Sequence, residues 1–314
     1  MPLFDLGAAF SIAFNYFTII YLTGLGGLFS ERSGIVNIGL EGMMVVGTVV
    51  GAWATVEQGP IVGLLAGAAA GLVFSLVHAL ATVTLKVDHI VSGVVINLVA
   101  IGLARFLAQL FFGQSTQSDP GIPDLTAIDI PLLKSIPLGF GRAFENMSPV
   151  VLVAFAITIP AVFVLNRTRF GLRLRSAGEN PEAARSLGVR VAPLRYAGVA
   201  ISGALAGFAG AFLAIEVNQL FREGQTQGLG FIALAALILG NWKPWRLMLG
   251  AMLFGFAQAI PLRLNDAPVI SLLPEQFIRM IPYLVTIIAI AGFVGRVQPP
   301  AAAGKAYEGG GGTL

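Results

Sequence analysis

A polytopic, all-α membrane protein is expected from three features of this chain. Of its 314 residues, 56% are hydrophobic and only 11% are charged, and the mean hydropathy is +0.84. Apolar runs of about 20 residues, the length a helix needs to cross a bilayer, recur along almost the whole sequence. Glycine, at 39 residues, is as abundant as membrane helices tolerate and soluble ones do not.

The runs fall at 7–29, 36–56, 60–85, 90–112, 148–166, 193–215, 229–241, 246–264 and 277–295. They amount to about nine crossings, with eight or ten left open. The start, MPLFDLGAAF, has neither the basic stretch nor the small-residue cleavage pattern of a signal peptide, so the first run is expected to stay as a helix. The 229–241 run is too short to span and reads as a half-helix or a re-entrant segment.

Loop charge sets orientation. Between 165 and 195 seven arginines face two glutamates, a net +5, which places that loop in the cytoplasm. The 113–146 loop, with two basic and four acidic residues, fits the outside. Lys243 with Arg246, and Arg296 with Lys305, fall inside, so the C-terminus is expected to be cytoplasmic. The end of the chain, VQPPAAAGKAYEGGGGTL, reads as a flexible tail from 298 to 314 after a membrane domain over 1–297.

Composition also excludes chemistry. With no cysteine and only His78 and His89, thiolate sites and histidine-rich metal sites are not expected, and a net charge of +3 is no nucleic-acid signal. Glycines recur at helical spacing at Gly47 and Gly51, at Gly63, Gly67 and Gly71, and at Gly203 and Gly207. Such strips let two helix backbones approach in lipid, within the chain or between subunits.

The stretch RSAGENPEAARSLGVRV is foreign to its apolar surroundings. Asn180 is a preferred N-cap, Pro181 suits the first helical position, and Glu182 in the first turn complements the helix dipole. Gly188 supplies a left-handed stop. These predict a helix over 181–187, with Ala183, Ala184 and Leu187 on one face. So short a helix is not stable alone in water, and is seated either on this chain's helix ends or on a partner.

The longer segment GLRLRSAGENPEAARSLGVRVAPLRY (171–196) resembles the cytoplasmic coupling loop of the permease subunits of bacterial ABC importers, in the group that takes up branched-chain amino acids, simple sugars and nucleosides. SERSGIVNIGLEGMM (30–44), GFIALAALILGNWKPW (230–245), LPEQFIRMIPYLVTIIAIAG and the PPAAAGKAYE tail are similar to its nucleoside and simple-sugar branch. The resemblance implies a type II importer permease of the bacterial cytoplasmic membrane. It implies ATPase coupling through Gly178, Glu179, Asn180, Pro181, Glu182, Ala183, Ala184, Leu187 and Gly188 in a 167–192 loop. It further implies cytoplasmic ATPase subunits that carry ATP and Mg, a second identical or homologous permease subunit, and an extracytoplasmic substrate-binding protein. No cofactor is expected on this chain, which lacks the phosphate-cradling G-x-x-x-x-G-K-[ST].

Polar residues at membrane depth are the candidates for a translocation path. An ionisable group there costs roughly 2.5 to 3.5 kcal/mol, so those present pair with another group or face water. Glu41 is expected to lie deep, paired with a basic group, while Glu31 and Arg32 lie at the interface. A neutral nucleoside or sugar needs amides and aromatic faces, which Asn15, Phe17, Asn97 and Asn218 offer. Asn37 joins Glu41 in the same glycine-interrupted stretch. Interhelical hydrogen bonding is the commoner fate of such side chains. Asp88 and His89 are read as solvated at a cytoplasmic turn, and Trp242 and Trp245 with Lys243 and Arg246 as an interfacial anchor. Two other functions remain in view. A self-contained secondary transporter would use Glu41 for ion coupling, and an intramembrane enzyme would need a companion motif that neither histidine has.

Overall fold

The structure, a computed structural model, describes residues 6–130, 141, 144–264, 275–293 and 297–307. Parts of the expected external loop (131–140 and 142–143) and of the expected tail (308–314) lie outside the described residues. The elements run α1 (Leu6–Arg32), α2 (Leu40–Gln58), α3 (Pro60–Ala79), α4 (His89–Phe112), α5 (Pro149–Ala156), α6 (Thr158–Arg167), α7 (Arg169–Glu179) and α8 (Pro181–Ser186). They continue with α9 (Val191–Phe212), α10 (Leu229–Leu239), α11 (Pro244–Leu264), α12 (Glu275–Arg279) and α13 (Ile281–Phe293). Wider π-type turns extend α3 over Leu80–Thr84 and α9 over Leu213–Val217.

Each of the nine apolar runs holds helix among its described residues, but helix length alone does not confirm a count of about nine crossings. Seven helices among the described residues are long and apolar enough to span, α5 and α6 together making one of them; Leu229–Leu239 and Gln276–Ala289 are shorter. Eleven residues in α10 rise about 16 Å, roughly half of a hydrocarbon core about 30 Å thick.

The bundle is built around α9 and α1. Helix α9 packs on α3, α2 and α1, while α1 also lies along α11. The three glycine strips meet within the chain: a Cβ at Gly47 would fall on the Gly207 backbone, one at Gly71 on the Gly203 carbonyl, and one at Gly67 against the Ala211 methyl. Between lipid-like surfaces the hydrophobic effect supplies no net drive, so this backbone-to-backbone approach provides the dispersion contact that holds α2, α3 and α9 together. By contrast α4 turns Val91, Val95, Phe106 and Leu110 outward, as a lipid-facing helix does.

At the end away from the 167–192 loop, the 113–130 segment lies over the residues that follow α9. Ser118 N–H donates to the Phe221 carbonyl at 2.9 Å, Ile122 N–H to the Gln219 carbonyl at 3.0 Å, and Glu223 N–H to the Thr116 carbonyl at 2.8 Å. The Arg105 guanidinium donates to Glu223 at 2.6 Å. The loop is thus a cover fastened to the 216–228 segment.

Candidate functional site

Two sites emerge, one at each end of α10. The first is a platform formed by the 167–192 loop. Thr168 caps α7, accepting from Gly171 N–H at 3.1 Å. Asn180 then breaks the chain direction and caps α8, its Oδ1 accepting from Ala183 N–H at 3.0 Å. Gly188, with φ of +78°, ends the turn. The helix stops at Ser186, one residue before its expected end, and Leu187 has left helical geometry. The expected shared face therefore divides. Ala184 is buried against Ala177 and Val191, whereas Leu187 follows the turn outward and is 83% exposed, and Ala183 is also exposed.

The platform is tied to the bundle at Gly178, where a Cβ would fall on the Arg32 carbonyl at the end of α1. Arg32 lies 3.5 Å from Glu179 and donates to the Trp242 carbonyl at 2.8 Å, and the Trp242 indole N–H donates to Glu31. Trp242 is thus buried and is no interfacial anchor: its backbone, at φ of +52°, turns the ring inward onto a carboxylate. Trp245 remains exposed, with Arg246 5.3 Å from its ring centre. Glu31, expected at the interface, is 6% exposed.

The segment expected to be a flexible tail is, over 297–307, a clasp. Gln298 N–H donates to Asn241 at 3.1 Å, Ala302 N–H to the Gly178 carbonyl at 2.9 Å and Gly304 N–H to the Gly34 carbonyl at 3.2 Å. Arg195 donates to the Lys305 carbonyl at 3.3 Å and lies 5.5 Å from the Tyr307 ring centre. Backbone groups spent on specific partners order a stretch whose composition alone argues for freedom. His89, read as solvated, is 1% exposed and accepts from Val36 N–H at 3.3 Å; Asp88 is the cap of α4, accepting from Ile90 N–H at 2.9 Å.

The second site is a cavity of about 500 Å³ between α2, α4, the 221–228 segment and the start of α10. Because α10 ends at the platform and rises only half-way, its first residue lies near the middle of the membrane. The chain leading to it is irregular: Gln219, Gly224, Gln227 and Gly228 all have φ between +46° and +79°, a conformation that non-glycine residues hold only under tertiary constraint. Non-helical backbone at membrane depth occurs where it is buried in protein or lines a cavity. Glu41 fixes it, accepting from the Thr226 hydroxyl at 2.6 Å, Gly228 N–H at 2.9 Å and Gly230 N–H at 2.7 Å. The expected basic partner of Glu41 is replaced by a helix N-terminus, whose free N–H groups and dipole offset the carboxylate charge.

The sequence pattern of the family described as "Branched-chain amino acid transport system / permease component" matches residues 9–290. The chain belongs to this permease family. The permease is 42% identical over 303 residues, 93% of its own length and 94% of the relative's, to the "Nucleoside ABC transporter permease protein NupC" of Lactococcus lactis subsp. cremoris (strain MG1363). It is 40% identical, over 93% of both chains, to the "Guanosine ABC transporter permease protein NupQ" of Bacillus subtilis (strain 168). The identity is 36%, over 90% of both, with the "Putative glucose ABC transporter permease protein TsgC13" of Haloferax volcanii. No solved structure matches the chain.

Of the six path candidates in the permease, Glu41 and Asn97 line the cavity together. Asn97 accepts from Gly42 N–H at 2.8 Å and donates to the Ile38 carbonyl at 3.0 Å, bonding α4 to the start of α2. Asn218 stands behind the wall, donating to Gln225 at 2.9 Å. The others are elsewhere. Phe17 is fully buried, stacked 4.4 Å from Phe155; Asn37 is buried and donates to Ser202 at 2.9 Å; Asn15 is half-buried on α1. Phe221, Gln225, Thr226 and Phe231, which also line the cavity, were missed. Their signal was the shortness of the 229–241 run, which obliges the polar NQLFREGQTQG before it to enter the membrane.

Proposed function

We propose that this permease is the membrane subunit of an ATP-driven nucleoside importer in a bacterial cytoplasmic membrane, with its C-terminus in the cytoplasm. It works with cytoplasmic ATPase subunits that bind ATP and Mg, a second permease subunit and an extracytoplasmic nucleoside-binding protein. The observation that carries the reading is α8: a capped helix that projects Leu187 into solvent while Gly178 and Glu179 hold its other end on α1. A push on Leu187 is transmitted to the end of α1 through the Gly178 backbone contact and the Arg32–Glu179 pair, and onward to α10 through Trp242. The nucleoside assignment is supported by the printed names of the two relatives at 42% and 40% identity, against a glucose name at 36%.

Glu41 argues against the secondary-transporter alternative, because both its oxygens are occupied by the α10 N-terminus. The test is to extract a tagged copy in mild detergent from its native cell and identify what co-purifies. A P-loop ATPase and a binding protein that takes nucleosides are expected. Recovery of this chain alone, with uptake intact, would overturn the importer reading.

A further inference from the structure

We propose that the cavity between α2, α4 and the 221–228 segment is a solute-holding site within a single chain, where Gln225 donates to an acceptor on an uncharged heterocycle. The inference rests on the nucleoside reading above and adds the place and the recognising group. Gln225 is 9% exposed and lines the cavity. Its Oε1 accepts from Asn218 at 2.9 Å, which assigns the other amide atom as the donor. That Nε2 is buried with no hydrogen-bond partner among the described residues. A buried amide donor left unmade costs roughly 1 to 3 kcal/mol, a penalty that a ligand acceptor removes.

The other walls define the ligand's character. Glu41 and Asn97 line the same cavity, but their polar atoms are engaged by backbone groups and the Thr226 hydroxyl. The dipole of α10, which would favour an anion, is already neutralised by Glu41. The lining also carries Thr48, the exposed Arg222 and Gln227, and Glu223, which is paired with Arg105; the rest is apolar, from Val45, Val94, Leu98 and Ile101, with the two aromatic rings of Phe221 and Phe231. An unmet amide donor beside two aromatic rings, in a volume of about 500 Å³, suits a small molecule with a flat acceptor-bearing ring.

The experiment uses cells carrying the intact importer and measures uptake of radiolabelled guanosine and uridine. Three variants are compared with the unaltered protein. Gln225→Glu keeps an acceptor for Asn218 and removes the donor, Gln225→Leu removes both, and Ile101→Trp fills the space from α4. Membrane level and thermal stability in detergent report folding. The expected result is normal folding for Gln225→Glu and Ile101→Trp, with uptake at sub-saturating nucleoside reduced about tenfold, the scale of one buried hydrogen bond, and an apparent KM that rises more than the maximal rate falls. Unchanged uptake by both well-folded variants would overturn the proposal, and is the outcome expected if the cavity merely accommodates a lipid chain. A loss of stability that parallels every loss of uptake would also overturn it, returning Gln225 to a packing role. If the unaltered importer carries neither nucleoside, the substrate reading itself fails and the cavity assignment falls with it.

Discussion

Glu41 and Asn97 show how one polar side chain at membrane depth is accommodated. Each is satisfied by backbone groups that a broken helix leaves open, and each joins segments far apart in sequence. Glu41→Gln keeps shape and one acceptor but removes the charge facing the α10 N-terminus. Hydrogen bonds to a charged group are worth about 1.5 to 3 kcal/mol, so thermal unfolding in detergent is expected to reveal a loss of that order, while uptake should stay insensitive to imposed proton or sodium gradients. Asn97→Leu strands the Gly42 N–H and the Ile38 carbonyl. It is expected to cost about 1 kcal/mol in the same measurement, and a loss of uptake without any loss of stability would return Asn97 to the path. Both residues stood out in the sequence because polar groups are rare inside apolar runs. Their partners did not, since a backbone N–H carries no mark in a one-letter string.

At the scale of elements, α8 and the clasp behave as one mechanical unit. Leu187 makes little contact with its own chain, so Leu187→Asp is expected to change stability by no more than about 0.5 kcal/mol and yet to abolish co-purification of the ATPase. Retained ATPase with full uptake would remove Leu187 from the docking surface. Truncation after Gln298 deletes the bonds to Gly178, Gly34 and Arg195. It is expected to leave the chain inserted, to speed proteolytic cleavage in the 167–192 loop several-fold as local openings become cheaper, and to lower transport per ATP hydrolysed. The Asn180 cap, Pro181 and the Gly188 stop of α8 were legible because caps are local chemistry. The clasp was not, because its Pro, Ala and Gly residues carry no signal except the partners they meet.

For the molecule as a whole, stability in the membrane rests on close backbone approach. Gly207 lies where α2 and α3 both converge on α9, so Gly207→Leu must push both helices away. Overpacking of this kind costs 1 to 3 kcal/mol or more, and lower yield with a monodispersity loss in size-exclusion chromatography is the expected outcome. The cavity lies where α2 and α4 meet the irregular 221–228 segment, on one side of the bundle.

Local pattern was enough to establish that the chain is helical, that it crosses the membrane repeatedly, that 229–241 is too short to cross, and that a capped helix interrupts the apolar runs. Each follows from interactions between near neighbours or from the cost of placing a residue type in lipid. The burial of Trp242, the split of α8 into an inward Ala184 and an outward Leu187, the ordering of 297–307 and the unmet donor of Gln225 follow instead from contacts between segments as much as 270 residues apart, the separation of Gly34 and Gly304. Such contacts depend on where whole helices converge, and that is decided only when the glycine strips close and every buried backbone group has found its partner.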